Sequence, residues 1–232
     1  MPNPYFQFKQ FTVRHDKCAM KVGTDGVLLG AWAPVQDVKR ILDVGAGSGL
    51  ISLQLAQRNP EAVITSVEID PAAAAQAQES PWSNRMEVVC CDFRKYHPED
   101  KFDLIVSNPP YFVDALRCPD NQRCMARHTS ELNYELLLGH SAHLLSEQGV
   151  ISIIIPAEVE RTVIDTAWKY NFHPHRRLHV FTKPGKPCRR VLLTFGRQSI
   201  SCIEDSLYIE GEKHEQFTPE YIALTKDFYL KM

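Results

Sequence analysis

Ile41-Leu42-Asp43-Val44-Gly45-Ala46-Gly47-Ser48-Gly49 is the stretch on which the fold turns. A short apolar run carrying one carboxylate enters three glycines at alternate positions. Leu50, Leu53 and Leu55 follow at helical spacing, with Pro60 beyond the end. A buried strand, a tight glycine turn and a helix make one βα unit. Working outward, residues 62–69 read as a second strand, and Pro71 opens an Ala-rich helix in its tolerated first-turn position. Residues 86–90 and 102–106 read as a third and a fourth strand. A helix over 130–146 ends before Gly149, and 150–155 is apolar enough to be a strand buried on both faces. A helix over 158–170, strands over 177–181 and 191–195, and a closing helix capped by Thr218 with Pro219 in its first turn complete the pattern. Strand alternating with helix predicts an α/β fold with a doubly wound parallel sheet.

The chain has 232 residues, 44% apolar and 23% charged, enough to bury a sizeable core in one domain. We expect a single domain over 1–232: a flanking segment at 1–39, a sheet core at 40–197 and an extension at 198–232. The richest apolar run is only strand length, far below a membrane span. Seven cysteines without a regular framework point to a reducing, cytoplasmic setting rather than to disulfides. Cys118 and Cys124, with His128 nearby, lack a second ligand pair, and structural zinc needs four ligands, so no metal is expected. A formal net charge of −2 leaves any nucleic-acid contact to a local patch.

The acceptor side of the chemistry lies at the end of the fourth strand, in Asn108-Pro109-Pro110-Tyr111. Open α/β sheets place ligands at the carboxyl ends of their strands. The prolines remove their own N–H groups and stiffen the turn, Asn108 adds a carbonyl acceptor, and Tyr111 adds a flat face. Such a clamp suits a planar group bearing an NH2, such as adenine. A plain turn is the alternative for the tetrapeptide alone. The remaining strand ends favour the chemical reading. Gly45, Gly47 and Gly49 let backbone approach a ligand closely, but their spacing is not that of a dinucleotide site, and Asp43 would repel a pyrophosphate. Glu68 can accept from both hydroxyls of a ribose. Asp92 can accept from an adenine amine, with Phe93 as apolar cover. An amine, a ribose and an adenine without phosphates describe S-adenosylmethionine.

These residues carry a resemblance. The chain resembles the Rossmann-like S-adenosylmethionine-dependent methyltransferases that modify amino groups, through Asn108-Pro109-Pro110-Tyr111. It is more closely similar to the bacterial tRNA1(Val) adenine-N6 methyltransferase family, which modifies adenosine 37 beside the anticodon. The stretches that carry this are Met20-Lys21-Val22-Gly23-Thr24-Asp25-Gly26-Val27-Leu28-Leu29-Gly30-Ala31-Trp32, Ala126-Arg127-His128-Thr129 and Leu224-Thr225-Lys226-Asp227-Phe228-Tyr229-Leu230. The resemblance implies a mostly parallel seven-stranded sheet with helices on both faces and an antiparallel last strand. It also implies that Thr24 and Asp25 approach the methionine end of the cofactor, that Asp43 faces its ammonium group, and that Glu68 holds the ribose. Ile69 then packs on the adenine, and Asp92 with Phe93 selects it. Thr24 reads equally as a helix cap, and Ile69 as core. Asn108, Pro109, Pro110 and Tyr111 hold the target base.

The RNA-facing surface has two candidates. Residues 112–129 show no periodicity, leave directly from the Asn108 turn and carry Arg117, Arg123, Arg127 and His128; long loops of this kind are often functional. Arg176, Arg177, Lys183, Lys186, Arg189 and Arg190 crowd a second stretch, with Lys9, Arg14 and Lys17 near the start as further cations. Arg127, His128, Lys183, Lys186, Arg189 and Arg190 are the expected tRNA contacts of a monomeric, membrane-free enzyme with no obligatory protein partner. A rival acceptor is a protein glutamine amide, as in the release-factor methyltransferases, but those carry an N-terminal helical domain. DNA adenine is a second rival, for which no recognition segment is evident. A non-enzymatic RNA-binding module is a third.

Overall fold

A computed structural model of the protein describes residues 3–80, 82–110, 133–212 and 216–232. A short hairpin, β1 (Tyr5–Gln7) with β2 (Thr12–Arg14), leads to α1 (Thr24–Trp32). The βα alternation follows as β3 (Arg40–Val44), α2 (Leu50–Arg58), β4 (Val63–Glu68), α3 (Pro71–Gln78), β5 (Met86–Cys90) and β6 (Phe102–Ser107). Beyond residue 132 come α4 (Tyr134–Leu144), β7 (Leu145–Pro156), α5 (Glu160–Lys169), β8 (His173–Phe181), β9 (Cys188–Gly196), β10 (Ile203–Tyr208) and α6 (Pro219–Thr225).

Strands β3 to β10 form one sheet in the order β10-β8-β9-β7-β6-β3-β4-β5. The sheet therefore has eight strands, one more than the expected seven. The seventh, β9, is antiparallel to both β7 and β8, and β10 adds an eighth strand parallel to β8 at the edge. β10 escapes a sequence reading because only Leu207 of its six residues is buried, so an edge strand shows no apolar alternation. The strand ends also run further than expected: β7 starts directly at the end of α4, and β8 begins at His173.

Period-two alternation divides the core between two faces. Ile41, Leu104, Ile154 and Leu192 face one cluster, with Val27, Leu28 and Leu53 from α1 and α2. Their neighbours Leu42, Ile105, Ile153 and Leu193 face the other, with Leu137 and Val163 from α4 and α5. Fully buried side chains of this size contribute about 1.5–3 kcal/mol each. Local signals set the helix starts: Pro71 and Thr218 as expected, and Asn133 three residues later than the expected start near 130. Asp70 accepts from Ala72 N and Pro71 opens α3, Asn133 accepts from Leu136 N at 2.8 Å, and Thr218 accepts from Tyr221 N at 3.2 Å. No helix among the described residues is long and apolar enough to cross a membrane.

Candidate active site

The carboxyl ends of β3, β4, β5 and β6 converge because the strands are parallel neighbours. Asp43 is in register with Ser66 and with Val106, and Glu68 with Cys90. The Ser107 hydroxyl donates to Val44 O at 2.8 Å, so Asn108 emerges directly beside the glycine turn. Gly45 N and Ala46 N donate to Val67 O at 2.9 and 3.1 Å, fixing the turn to the end of β4. Gly47 takes φ +54°, a left-handed conformation that favours glycine, and a Cβ there would meet nothing within 4 Å. Gly45 likewise opens onto empty space. Gly49, also left-handed at φ +77°, differs from expectation. It caps α2 and faces Met86 and Ala77, so it shapes the turn without lining the cavity.

One cavity of about 580 Å³ gathers most of the expected site: Thr24, Asp25, Gly45, Gly47, Glu68, Ile69, Asp92, Phe93, Asn108 and Pro110 all line it. Thr24 is not the helix cap; Gly23 holds that position and Thr24 is the first helical residue. Ile69 is 61% exposed although large and apolar, so it is a cavity wall and not core. Pro109 is buried and Pro110 exposed, and only the second lines the cavity. Tyr111, Arg127 and His128, together with Cys118 and Cys124, lie outside the described residues.

Three carboxylates differ from their expected roles in what already holds them. Asp43 is fully buried and does not line the cavity. Its Oδ2 accepts from Ser52 N at 3.1 Å and from Ser52 Oγ at 2.8 Å, while Oδ1 is buried with no hydrogen-bond partner among the described residues. Burial pushes its carboxyl up to about 7, against the two Ser52 bonds and with the Glu68 charge. Glu68 accepts from Gly47 N at 2.7 Å through Oε2 and from Asp70 N at 2.8 Å through Oε1. Each oxygen keeps a second lone pair, so Glu68 braces the turn and can still accept from a ligand. Asp92 accepts from Arg94 N and Nε through Oδ1 and from Arg94 Nε through Oδ2, with Arg94 Nη2 also on Oδ2. Those bonds hold its carboxyl below the ordinary carboxylate range. Arg94, absent from the sequence reading, lines the same cavity and was signalled only by its position two residues past Asp92.

The donor set fits a cationic adenosyl ligand. Asp25, Glu68, Asp70 and Asp92 line the cavity, with Lys21 and Arg94 as its cations. Arg190 and Arg94 pair with Asp25 and Asp92, which leaves an acidic excess over Lys21. An acidic pocket with an open glycine turn and an orphaned carboxylate oxygen behind it suits an ammonium and a sulfonium, and opposes a pyrophosphate.

The basic stretch divides. The turn carrying Lys183 and Lys186 joins β8 to β9 at the same sheet edge as Asn108, and Lys186 and Arg189 are exposed. Arg190 is not a free cation for phosphate, since it donates to Asp25. Arg177 is held between Glu160 and Glu204, and Arg176 lies 4.4 Å over the Trp32 ring. Near the start, Lys9 donates to Lys226 O and Lys17 pairs with Glu79. Among the described residues no group of three or more His, Cys, Asp or Glu is arranged to hold a metal.

Comparison with known proteins agrees with this geometry. The model of the methyltransferase small domain family matches residues 22–164. A tRNA1(Val) (adenine(37)-N6)-methyltransferase of Bacteroides thetaiotaomicron is 55% identical over 100% of both chains. One of Enterobacter is 46% identical over 98% of this chain and 95% of its own. Among solved structures, a predicted O-methyltransferase of Agrobacterium tumefaciens superposes with a TM-score of 0.70 at 22% identity, covering 88% of this chain and 96% of that one. At that identity the likeness speaks for the fold alone. Matched by that family model over residues 22–164 and by relatives from end to end, the chain belongs to the methyltransferase small domain family and to the tRNA1(Val) (adenine(37)-N6)-methyltransferases.

Proposed function

We propose that this protein methylates the N6 amine of an adenosine in tRNA, with S-adenosylmethionine as donor, and that the target is adenosine 37 beside the anticodon. The observation that carries the reading is the single cavity shared by Glu68, Asp92, Phe93 and Asn108. Donor and acceptor sites are thereby contiguous. The relatives' specificity, stated in their names, supplies the acceptor. S-adenosylmethionine, when bound, supplies an electrophilic methyl group.

The residues of the chain do the positioning. The Asn108 side-chain oxygen and the Pro109 carbonyl accept the two N–H bonds of the target amine, drawing its lone pair out of the purine ring. Alignment and preorganised dipoles provide most of the acceleration. No side-chain base is needed before attack, because the methylated amine is strongly acidic and loses its proton afterwards. Glu68 and Ile69 fix the adenosyl group, and Asp92, held by Arg94, presents a fixed acceptor to its amine. Extruding the target base costs a few kcal/mol and is least costly in a single-stranded loop, which favours an anticodon loop over duplex DNA. Lys183, Lys186 and Arg189 flank that entrance as phosphate contacts, and the enzyme acts as a monomer.

Incubation with S-adenosylmethionine and purified tRNA, followed by nucleoside mass spectrometry, tests the reading. N6-methyladenosine at position 37 of one valine tRNA is the expected product. Methylation of a protein glutamine amide with unmodified tRNA would overturn it.

A further inference from the structure

A second cavity, of about 610 Å³, lies on the same edge of the sheet and is built by the chain's peripheral segments. Phe6, Phe217, Tyr221 and Tyr229 give it aromatic walls, and Glu210 brings a carboxylate. Phe217 is 39% exposed, its ring 5.2 Å from the Tyr221 ring and inclined 41° to it. Tyr221 is 3% exposed and Phe6 and Tyr229 are partly buried, so Phe217 is the wall that offers an open face on which a planar group can stack.

Its position identifies the occupant. Thr24 lines both this cavity and the cofactor cavity, so the two are neighbours across one residue. Thr182 also lines it and immediately precedes Lys183 of the basic turn. Strands β6, β8 and β10 run in the same direction, which brings Asn108, Thr182 and Ile209 out at a common edge. From β6 to β10 is four strand steps in the sheet order, or roughly 19 Å at the usual spacing of about 4.8 Å. Extruding one base from a loop also unstacks its neighbours, which then need a surface. We infer that this aromatic cavity receives a second, unstacked nucleobase from the same tRNA loop that delivers the target adenosine. Phe217 is its stacking face, Glu210 an acceptor for a base amine, and Lys183 with Lys186 hold the intervening phosphates. The inference rests on the RNA-methylating reading above and adds to it a base-reading site remote from the reacting atoms.

Binding of anticodon stem-loops by fluorescence anisotropy tests it. Phe217→Ala should raise Kd roughly 5- to 150-fold, the worth of stacking one base, and Phe217→Trp should restore binding. Cofactor affinity measured by calorimetry should stay unchanged in both. A series of stem-loops, each lacking one base outside the target, removes dependence on how any variant folds. Wild-type protein should lose affinity by a similar factor at one loop position, and Phe217→Ala should lose nothing further with that RNA. Additive losses at every position, insensitivity to every missing base, or wild-type affinity in Phe217→Ala would each overturn the inference while methylation of tRNA persisted. A wild-type protein that methylates no tRNA would take the functional reading down as well.

Discussion

Arg190 on β9 donates from Nε to Oδ2 of Asp25 on α1 at 2.8 Å, joining residues 165 positions apart in the chain. Asp25 lines the cofactor cavity, and Arg190 follows the basic turn at residues 183–187. The pair is half-buried, with side-chain exposures of 30% and 24%, so solvent screens it only in part. It ties the cofactor wall to the surface on which RNA is expected to lie.

A double-mutant cycle on Asp25→Asn and Arg190→Ala, read by calorimetric titration of S-adenosylmethionine, should give a coupling on the order of 1 kcal/mol. Strictly additive effects would show that the pair does not shape the cofactor site.

Glu68→Gln should weaken cofactor binding and lower stability together. Two backbone donors, Gly47 N and Asp70 N, each have their own carboxylate oxygen, and a glutamine amide offers one oxygen and one opposing NH2 group. Leaving one such donor unmatched costs about 1–3 kcal/mol, visible as a fall in Tm alongside weaker binding. A change in binding alone would confine Glu68 to ligand contact.

Asp43 predicts a pH dependence with a definite sign. Its folded carboxyl sits near 7, above the ordinary value of 3.8. The folded state therefore binds the proton more tightly than the unfolded state. The stabilisation is complete below about pH 4 and is lost as pH rises to 7, amounting to about 4 kcal/mol at most. In cofactor-free protein, Asp43→Asn should remove this loss. The Tm difference, variant minus wild type, should grow between pH 4 and 7, and a constant difference would contradict the assignment.

Asn108→Ala should lower kcat about 10²- to 10³-fold, as when one preorganised polar group is removed from a transition-state site. Cofactor affinity should change little, because Glu68, Ile69 and Asp92 remain. Single-turnover methyl transfer combined with calorimetry separates the two quantities.

Salt dependence reads the basic turn. If Lys183 and Lys186 each neutralise one phosphate of a single-stranded loop, replacing both with alanine should reduce the slope of log K against log salt by about 1.4. An unchanged slope would place the RNA elsewhere.

Much of this was legible from residue order. The glycine turn after 41–44, the acidic residues at the ends of the next two strands and Asn108 after the fourth are local signals, and parallel βα winding sends every strand's carboxyl end to one edge. The apolar run at 150–155 announced a strand buried on both faces, and Ile153 and Ile154 do enter opposite clusters. β10 was not legible, because an edge strand with a single buried residue carries no period. Nor was α1, whose run of buried residues from Gly26 to Trp32 shows no amphipathic period because α2, α6 and β7 all pack against it.

The sequence by itself determined the order of elements, the glycine turn and which strand ends carry the chemistry, since each depends on residues within one or two turns of chain. Tertiary structure alone decided who holds each charge. It gave Asp25 to Arg190 and the Gly47 amide to Glu68, and it withdrew Asp43 behind the cavity wall, whereas Asp92 and Arg94 pair locally, two residues apart. A carboxylate's role depends on the donors within about 3 Å of it, and neither the 165-residue step from Asp25 to Arg190 nor the burial of Asp43 is a property of the local sequence.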